Sequence, residues 1–87
     1  MQYPGLSEML RQAIAIARGL GLTESADRLQ DRTEGAYTSS SEYLGEVGDA
    51  IQEFLAREGN RLPGVLTRRL DECLYEVGRV WPKYRPK

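Results

Sequence analysis

Residues 39–58 read SSSEYLGEVGDAIQEFLARE, in which apolar side chains recur every three or four positions. This spacing puts them on one broad arc of a helix: Tyr43, Leu44, Val47, Ala50, Ile51, Phe54 and Leu55. Ser39 and Glu42 match a capping box, in which each side chain binds the other's free backbone amide. Gly59 and Asn60 follow the run as terminators. The stretch therefore predicts a helix over about 40–58.

The same periodicity predicts three more helices, over about 5–20, 24–34 and 63–80. The second has a thin apolar stripe, and we expect Thr23 or Ser25 to cap it. No segment alternates apolar and polar residues as a half-buried strand would. Because the connections are short, neighbouring helices should run antiparallel. We predict an all-α, compact antiparallel four-helix bundle in a single domain over residues 1–81, followed by a short basic tail over residues 82–87.

Length and composition fit one small cytoplasmic domain. The chain has 87 residues, a net charge of −1, no histidine and one cysteine. The longest wholly apolar run, residues 13–17, is too short for a signal peptide or a membrane span. A single cysteine cannot form an internal disulfide. We therefore expect a cytoplasmic location and no contact with membranes.

The residue types argue against catalysis and against metal binding. Without histidine there is no usual base for a serine or cysteine nucleophile. Cys73 falls on the apolar stripe of the fourth helix, where a thiol is inert. Di-metal sites in helical bundles use histidine together with carboxylates. We expect a protein that is not an enzyme and has no cofactor and no metal.

Four carboxylates follow one another along the third predicted helix. These residues, which we call the acidic strip, are Glu42, Glu46, Asp49 and Glu53. Their spacing of three or four residues places them on one face. Two interpretations stay open at this point: the strip is a solvated outer face, or it is a docking site for a basic partner.

Two glycines, Gly45 and Gly48, lie inside the same helix, where each costs about 1 kcal/mol relative to alanine. A missing side chain lets another helix approach closely, either within the monomer or from a partner. The thin second helix also suggests that part of the third helix's apolar arc stays open. Such a groove would serve homodimerisation or helix docking, unless the first helix and the tail cover it.

The C-terminus is basic and aromatic, reading WPKYRPK over residues 81–87. Trp81, Lys83, Tyr84, Arg85 and Lys87 are candidate partner-binding residues. The 78 residues before Arg79 carry 13 acidic and 8 basic residues, a net charge of −5. The tail could contact an acidic protein surface, bind single-stranded nucleic acid by stacking and phosphate contacts, lie across the acidic strip, or fray in solvent.

These observations predict an interaction or regulatory protein. We expect it to bind a protein partner through the acidic strip, an open apolar groove or both, and a second copy of the chain is one candidate for this partner. The alternative is an accessory protein for single-stranded RNA or DNA that uses the tail. Double-stranded DNA is excluded as a ligand of the third helix, because its carboxylates would repel the phosphates.

Overall fold

A computed structural model describes residues 4–35 and 39–86 of the chain. It contains four α-helices: α1 (Pro4–Gly19), α2 (Thr23–Thr33), α3 (Ser40–Glu58) and α4 (Gly64–Gly78). Short 3₁₀ turns follow at Gly59–Arg61 and Pro82–Tyr84. The described residues form no strand. The predicted all-α four-helix bundle is confirmed.

The two most extensive helix contacts are α1 against α4 and α2 against α3. α2 and α3 run antiparallel, because Ser25 near the start of α2 contacts Glu58 at the end of α3. The largest fully buried side chains come from α2, α3 and α4: Leu29, Leu44, Val47, Ile51, Leu66, Leu70, Cys73 and Val77. Burial of each large aliphatic side chain contributes about 1.5–3 kcal/mol before entropy is counted. The core therefore joins all four helices into one unit, to which α1 adds Leu6 and Leu10.

Helix ends follow the local sequence, with two corrections. Ser39 caps α3 as predicted, since its side chain accepts a hydrogen bond from the Glu42 backbone N–H at 3.1 Å. The predicted cap of α2 is wrong: Leu22 occupies the N-cap position and provides no side-chain hydrogen bond. Ser25 is instead buried and bonds to Glu58.

The second correction concerns the end of α4, which stops at Gly78 rather than near residue 80. After Gly78 the backbone forms a tighter turn, in which the Val80 and Trp81 N–H groups both donate to the Val77 carbonyl. Trp81 has φ −119° and ψ 85°. A residue that precedes proline is disfavoured in the helical region, so Trp81 cannot extend the helix. The backbone turns back towards α3 at this point.

The tail packs against α3 at Gly45 and Gly48. Leu44, Ile51 and Phe54 are buried, and Tyr84 of the tail is itself only 3% exposed and belongs to the core. None of the large hydrophobic side chains that the described residues expose belongs to α3, so the open apolar groove expected there is not seen. Tyr84 adds to this cover at Gly48, alongside the extensive contact between α2 and α3.

One carboxylate, Glu58, is buried with only 7% of its surface exposed. It accepts hydrogen bonds from the Ser25 hydroxyl and from the Arg61 guanidinium, the latter at 2.6 Å. The Ser25 hydrogen bond, with the Arg61 hydrogen bond second, lowers the pKa of Glu58 below its ordinary value of 4.5. The ionised form is thus favoured in the folded state, and it ties the end of α3 to the start of α2.

We expect Glu58→Gln to reduce the free energy of unfolding at about pH 7. Because the folded pKa is depressed, this stability is present above the unfolded pKa and is lost as pH falls through the folded value. The difference between the variant and the wild type should therefore shrink as the pH falls below 4.5. Urea unfolding followed by circular dichroism across this pH range measures it.

The matched control is Glu8→Gln, which removes a carboxylate from an exposed pair with Arg11. An exposed pair contributes about 0–1 kcal/mol, so this variant should unfold nearly as the wild type does. A Glu58→Gln deficit that stays constant from neutral to acidic pH would contradict the role assigned to the ionised carboxylate.

Candidate functional site

Two carboxylates of the acidic strip are engaged by one arginine. Arg32 of α2 donates from Nε to Glu46 at 2.8 Å and from Nη1 to Glu53 at 2.9 Å. The hydrogen bond with Glu46, the largest influence, raises the pKa of Arg32, with further contributions from the charges of Glu46, Glu53 and Asp49. These two members of the strip therefore bind α2 to α3 within the chain.

A third member of the strip, Asp49, is engaged by the tail. The Tyr84 hydroxyl donates to Asp49 Oδ1 at 2.5 Å. Burial, followed by the hydrogen bond with Asp49, raises the pKa of Tyr84 to about 12. The phenol thus stays protonated at neutral pH and acts as a donor. Glu42, the fourth member, lies exposed in the first turn of α3.

The two glycines of α3 lie beneath the two aromatic residues of the tail. A methyl group built on Gly48 would lie 2.7 Å from the Tyr84 ring, which is too close for any real contact. The same construction at Gly45 meets Trp81 Nε1 at 3.6 Å, an ordinary contact distance. The close approach expected at these glycines is therefore made by the tail rather than by another helix.

Trp81 is held in place but remains accessible. Its indole N–H donates to the Ser41 carbonyl at 2.9 Å, at the start of α3. This carbonyl belongs to the first turn of the helix. The side chain nevertheless keeps 38% of its surface exposed. Tryptophan is enriched among the residues that dominate protein–protein binding energy, so an anchored and partly exposed tryptophan is a candidate contact residue.

Two cations, Lys83 and Arg85, belong to the same short tail segment as Trp81. The Lys83 ammonium is 5.0 Å from the centroid of the Tyr84 ring, a cation–π distance. Arg85 follows on the same turn, and its backbone packs against Gly78, where a Cβ would lie 3.1 Å from the Arg85 Cα. Lys83 and Arg85 are exposed and form no ion pair within residues 4–35 and 39–86. We call Trp81, Lys83 and Arg85 the tail surface; Lys87 lies outside the described residues.

The other groups that could carry chemistry, the thiol and the remaining carboxylates, form no reactive or metal-binding arrangement among the described residues. Cys73 is fully buried, and burial is the main cause that raises the pKa of its thiol to about 12, so it is protonated at neutral pH. Within the described ranges there is no cluster of carboxylates and thiols able to hold a metal ion. None of the described helices combines the length and the apolar character needed to span a bilayer.

Comparison with protein-family models, with curated proteins and with solved structures gave no match to this chain. The geometry of the chain itself is therefore the basis for a functional assignment.

Sequence reasoning named Tyr84 as a partner-binding residue, whereas the structure places its ring in the core. A signal for this placement is present in the sequence. Trp81 and Tyr84 are three residues apart, as are Gly45 and Gly48. Residues three apart lie on one side of both an α-helix and a 3₁₀ turn. The equal spacing therefore allows each aromatic ring to pack on one of the two glycines.

We expect Gly48→Ala to destabilise the protein and Gly45→Ala to stabilise it. At position 48 overpacking against Tyr84 costs about 1–3 kcal/mol, which outweighs the gain of about 1 kcal/mol in helix propensity. At position 45 the methyl group has room, so only the gain remains. Urea unfolding of the two variants and the wild type measures the difference.

This pair is its own control, since both changes place the same side chain in the same helix. Equal stabilisation by both substitutions would contradict the placement of Tyr84 on Gly48.

Proposed function

We propose that this chain is a non-enzymatic protein-interaction module whose contact surface is centred on Trp81. The observation that carries the proposal is the state of this side chain. It is fixed by a hydrogen bond to Ser41 and by contact with Gly45, yet 38% of its surface faces solvent. Tryptophan and arginine are enriched among the residues that dominate protein–protein binding energy.

Pre-organisation supports this proposal. A side chain that is already held in one orientation loses little conformational freedom when a partner covers it. Trp81 and the backbone of Arg85 are both anchored on helices of the bundle, at α3 and α4 respectively. The surface is therefore built on the rigid part of the molecule.

The acidic strip is a weaker candidate than the tail surface. Glu46 and Glu53 are paired with Arg32, and Asp49 is bonded to Tyr84. A basic partner would have to compete with these contacts. We therefore propose that the strip does not bind the partner itself but lies next to the tail surface, where Asp49 and Glu42 belong to α3.

Single-stranded nucleic acid is the alternative ligand, favoured by an exposed indole in a tail that also carries two exposed cations. Two observations weigh against it. Tyr84 is buried, so only one aromatic ring of the tail is open for stacking. The neighbouring carboxylates Glu46 and Asp49 repel a phosphate backbone, which cannot vary its charge along the strand.

The test is affinity capture from an extract of the source cells with wild-type protein and with Trp81→Ala as baits. Loss of a central tryptophan anchor typically costs 2 kcal/mol or more, so we expect at least about a thirtyfold loss of partner retention. Circular dichroism must first show that the variant is folded.

The control bait is Tyr75→Ala, which removes an exposed aromatic side chain from α4. It should retain the partner as the wild type does. Equal capture by Trp81→Ala and the wild type would refute the proposal. Light scattering of the pure protein identifies the case in which the partner is a second copy of the chain.

A further inference from the structure

We infer that the tail surface takes an acidic segment of the partner protein, in which carboxylates meet Lys83 and Arg85 and an apolar side chain covers Trp81. This inference rests on the proposed function and specifies the chemistry of the partner. Its basis is how charge is distributed over the described residues.

Most arginines of the chain are already paired with carboxylates of the chain itself. Ion pairs hold eight of them: Arg11, Arg18, Arg28, Arg32, Arg57, Arg61, Arg69 and Arg79. Among the described residues, Lys83, Arg85 and Arg68 are the cations without an ion pair. Two of these three, Lys83 and Arg85, follow the exposed Trp81 within four residues around the Pro82–Tyr84 turn, so the tail carries unpaired positive charge close in sequence to the exposed ring.

The charge of Lys83 has a preferred position, because its ammonium lies over the Tyr84 ring and that ring is seated on Gly48. For Arg85 it is the backbone that is packed, against Gly78, which sets the point from which its exposed side chain extends. Complementary charge across an interface sets specificity and association rate, and fixed charges do so at less entropic cost. An acidic segment is the ligand that balances them.

A peptide fits the charges around the tail surface better than a nucleic acid does. Asp49 and Glu46 lie next to Tyr84 on the α3 side, so negative charge is tolerated only on the Lys83 and Arg85 side. A peptide can place carboxylates on one side and neutral residues on the other. A nucleic acid carries a phosphate at every nucleotide and cannot avoid the strip.

The only tryptophan of the chain provides a direct readout. We would titrate the protein at about 50 mM salt, where screening is weak, and follow Trp81 fluorescence. The probes are a short synthetic peptide of Asp and Glu around one Leu, the same peptide with each acid replaced by its amide, and a short oligothymidine. We expect a change in Trp81 emission with the acidic peptide alone.

The variant is the double charge reversal Lys83→Glu with Arg85→Glu, and the matched control is Arg68→Glu, which reverses an unpaired arginine on α4. The double variant should bind the acidic peptide at least about tenfold more weakly, and the control should bind it as the wild type does. Tighter binding of oligothymidine than of the acidic peptide would overturn the inference in favour of nucleic acid. Equal binding of the amide peptide would overturn it too.

Capture from the cell extract separates this inference from the proposed function. If Trp81→Ala loses the partner while the double charge reversal keeps it, the interaction surface stands and the acidic partner is wrong. If Trp81→Ala keeps the partner, both fail. Loss of the partner in both variants, with retention by Arg68→Glu, is the result that we expect.

Discussion

The architecture depends on one contact. The Tyr84 ring packs directly on the backbone of α3 at Gly48, where there is no side chain. No side chain other than hydrogen leaves room for the ring, because a methyl group there would lie 2.7 Å from it. The ring adds to the cover that α2 provides over α3, and its hydroxyl reaches Asp49. Together with the hydrogen bond from Trp81 to Ser41 and the packing of Arg85 against Gly78, this contact sets the path of the tail.

The same contact changes how the acidic strip behaves. Four carboxylates at spacings of three and four repel one another by a few tenths of a kcal/mol per pair. In the folded chain Arg32 lies between Glu46 and Glu53, and the Tyr84 hydroxyl donates to Asp49. Three of the four carboxylates of the strip, Glu46, Asp49 and Glu53, thus also contribute to the packing of α3 through contacts with α2 and with the tail. Among the described cations without an ion pair, Arg68 lies on α4, and Lys83 and Arg85 lie in the tail after Trp81.

The fold could be predicted from the sequence because helix periodicity is local information. The apolar spacing within residues 39–58 determines a helix whatever its neighbours are, and the Ser39 cap marks its start. Contacts between residues more than thirty positions apart are marked at most indirectly, as by the equal spacing of Gly45 and Gly48 and of Trp81 and Tyr84. Ser25 was expected to cap α2 and instead bonds to Glu58, and Tyr84 was expected at the surface and is buried. The site was only half predictable for the same reason: its residue types were visible, but the side on which each one points depends on how the tail folds back.

In the tail, Tyr84 is buried against α3, whereas Trp81, Lys83 and Arg85 are exposed. This difference limits how a partner can bind. Tyr84 is 3% exposed, so lifting the tail from α3 would expose its ring and break its hydrogen bond to Asp49. Exposing the ring costs about 2 kcal/mol, and the charge-assisted hydrogen bond contributes about 1.5–3 kcal/mol more. A partner that displaced the tail would have to supply this free energy before gaining any affinity. A partner that binds on top of the tail meets an ordered Trp81 and two unpaired cations at no such cost, so the contact proposed here adds to the folded tail rather than replacing it.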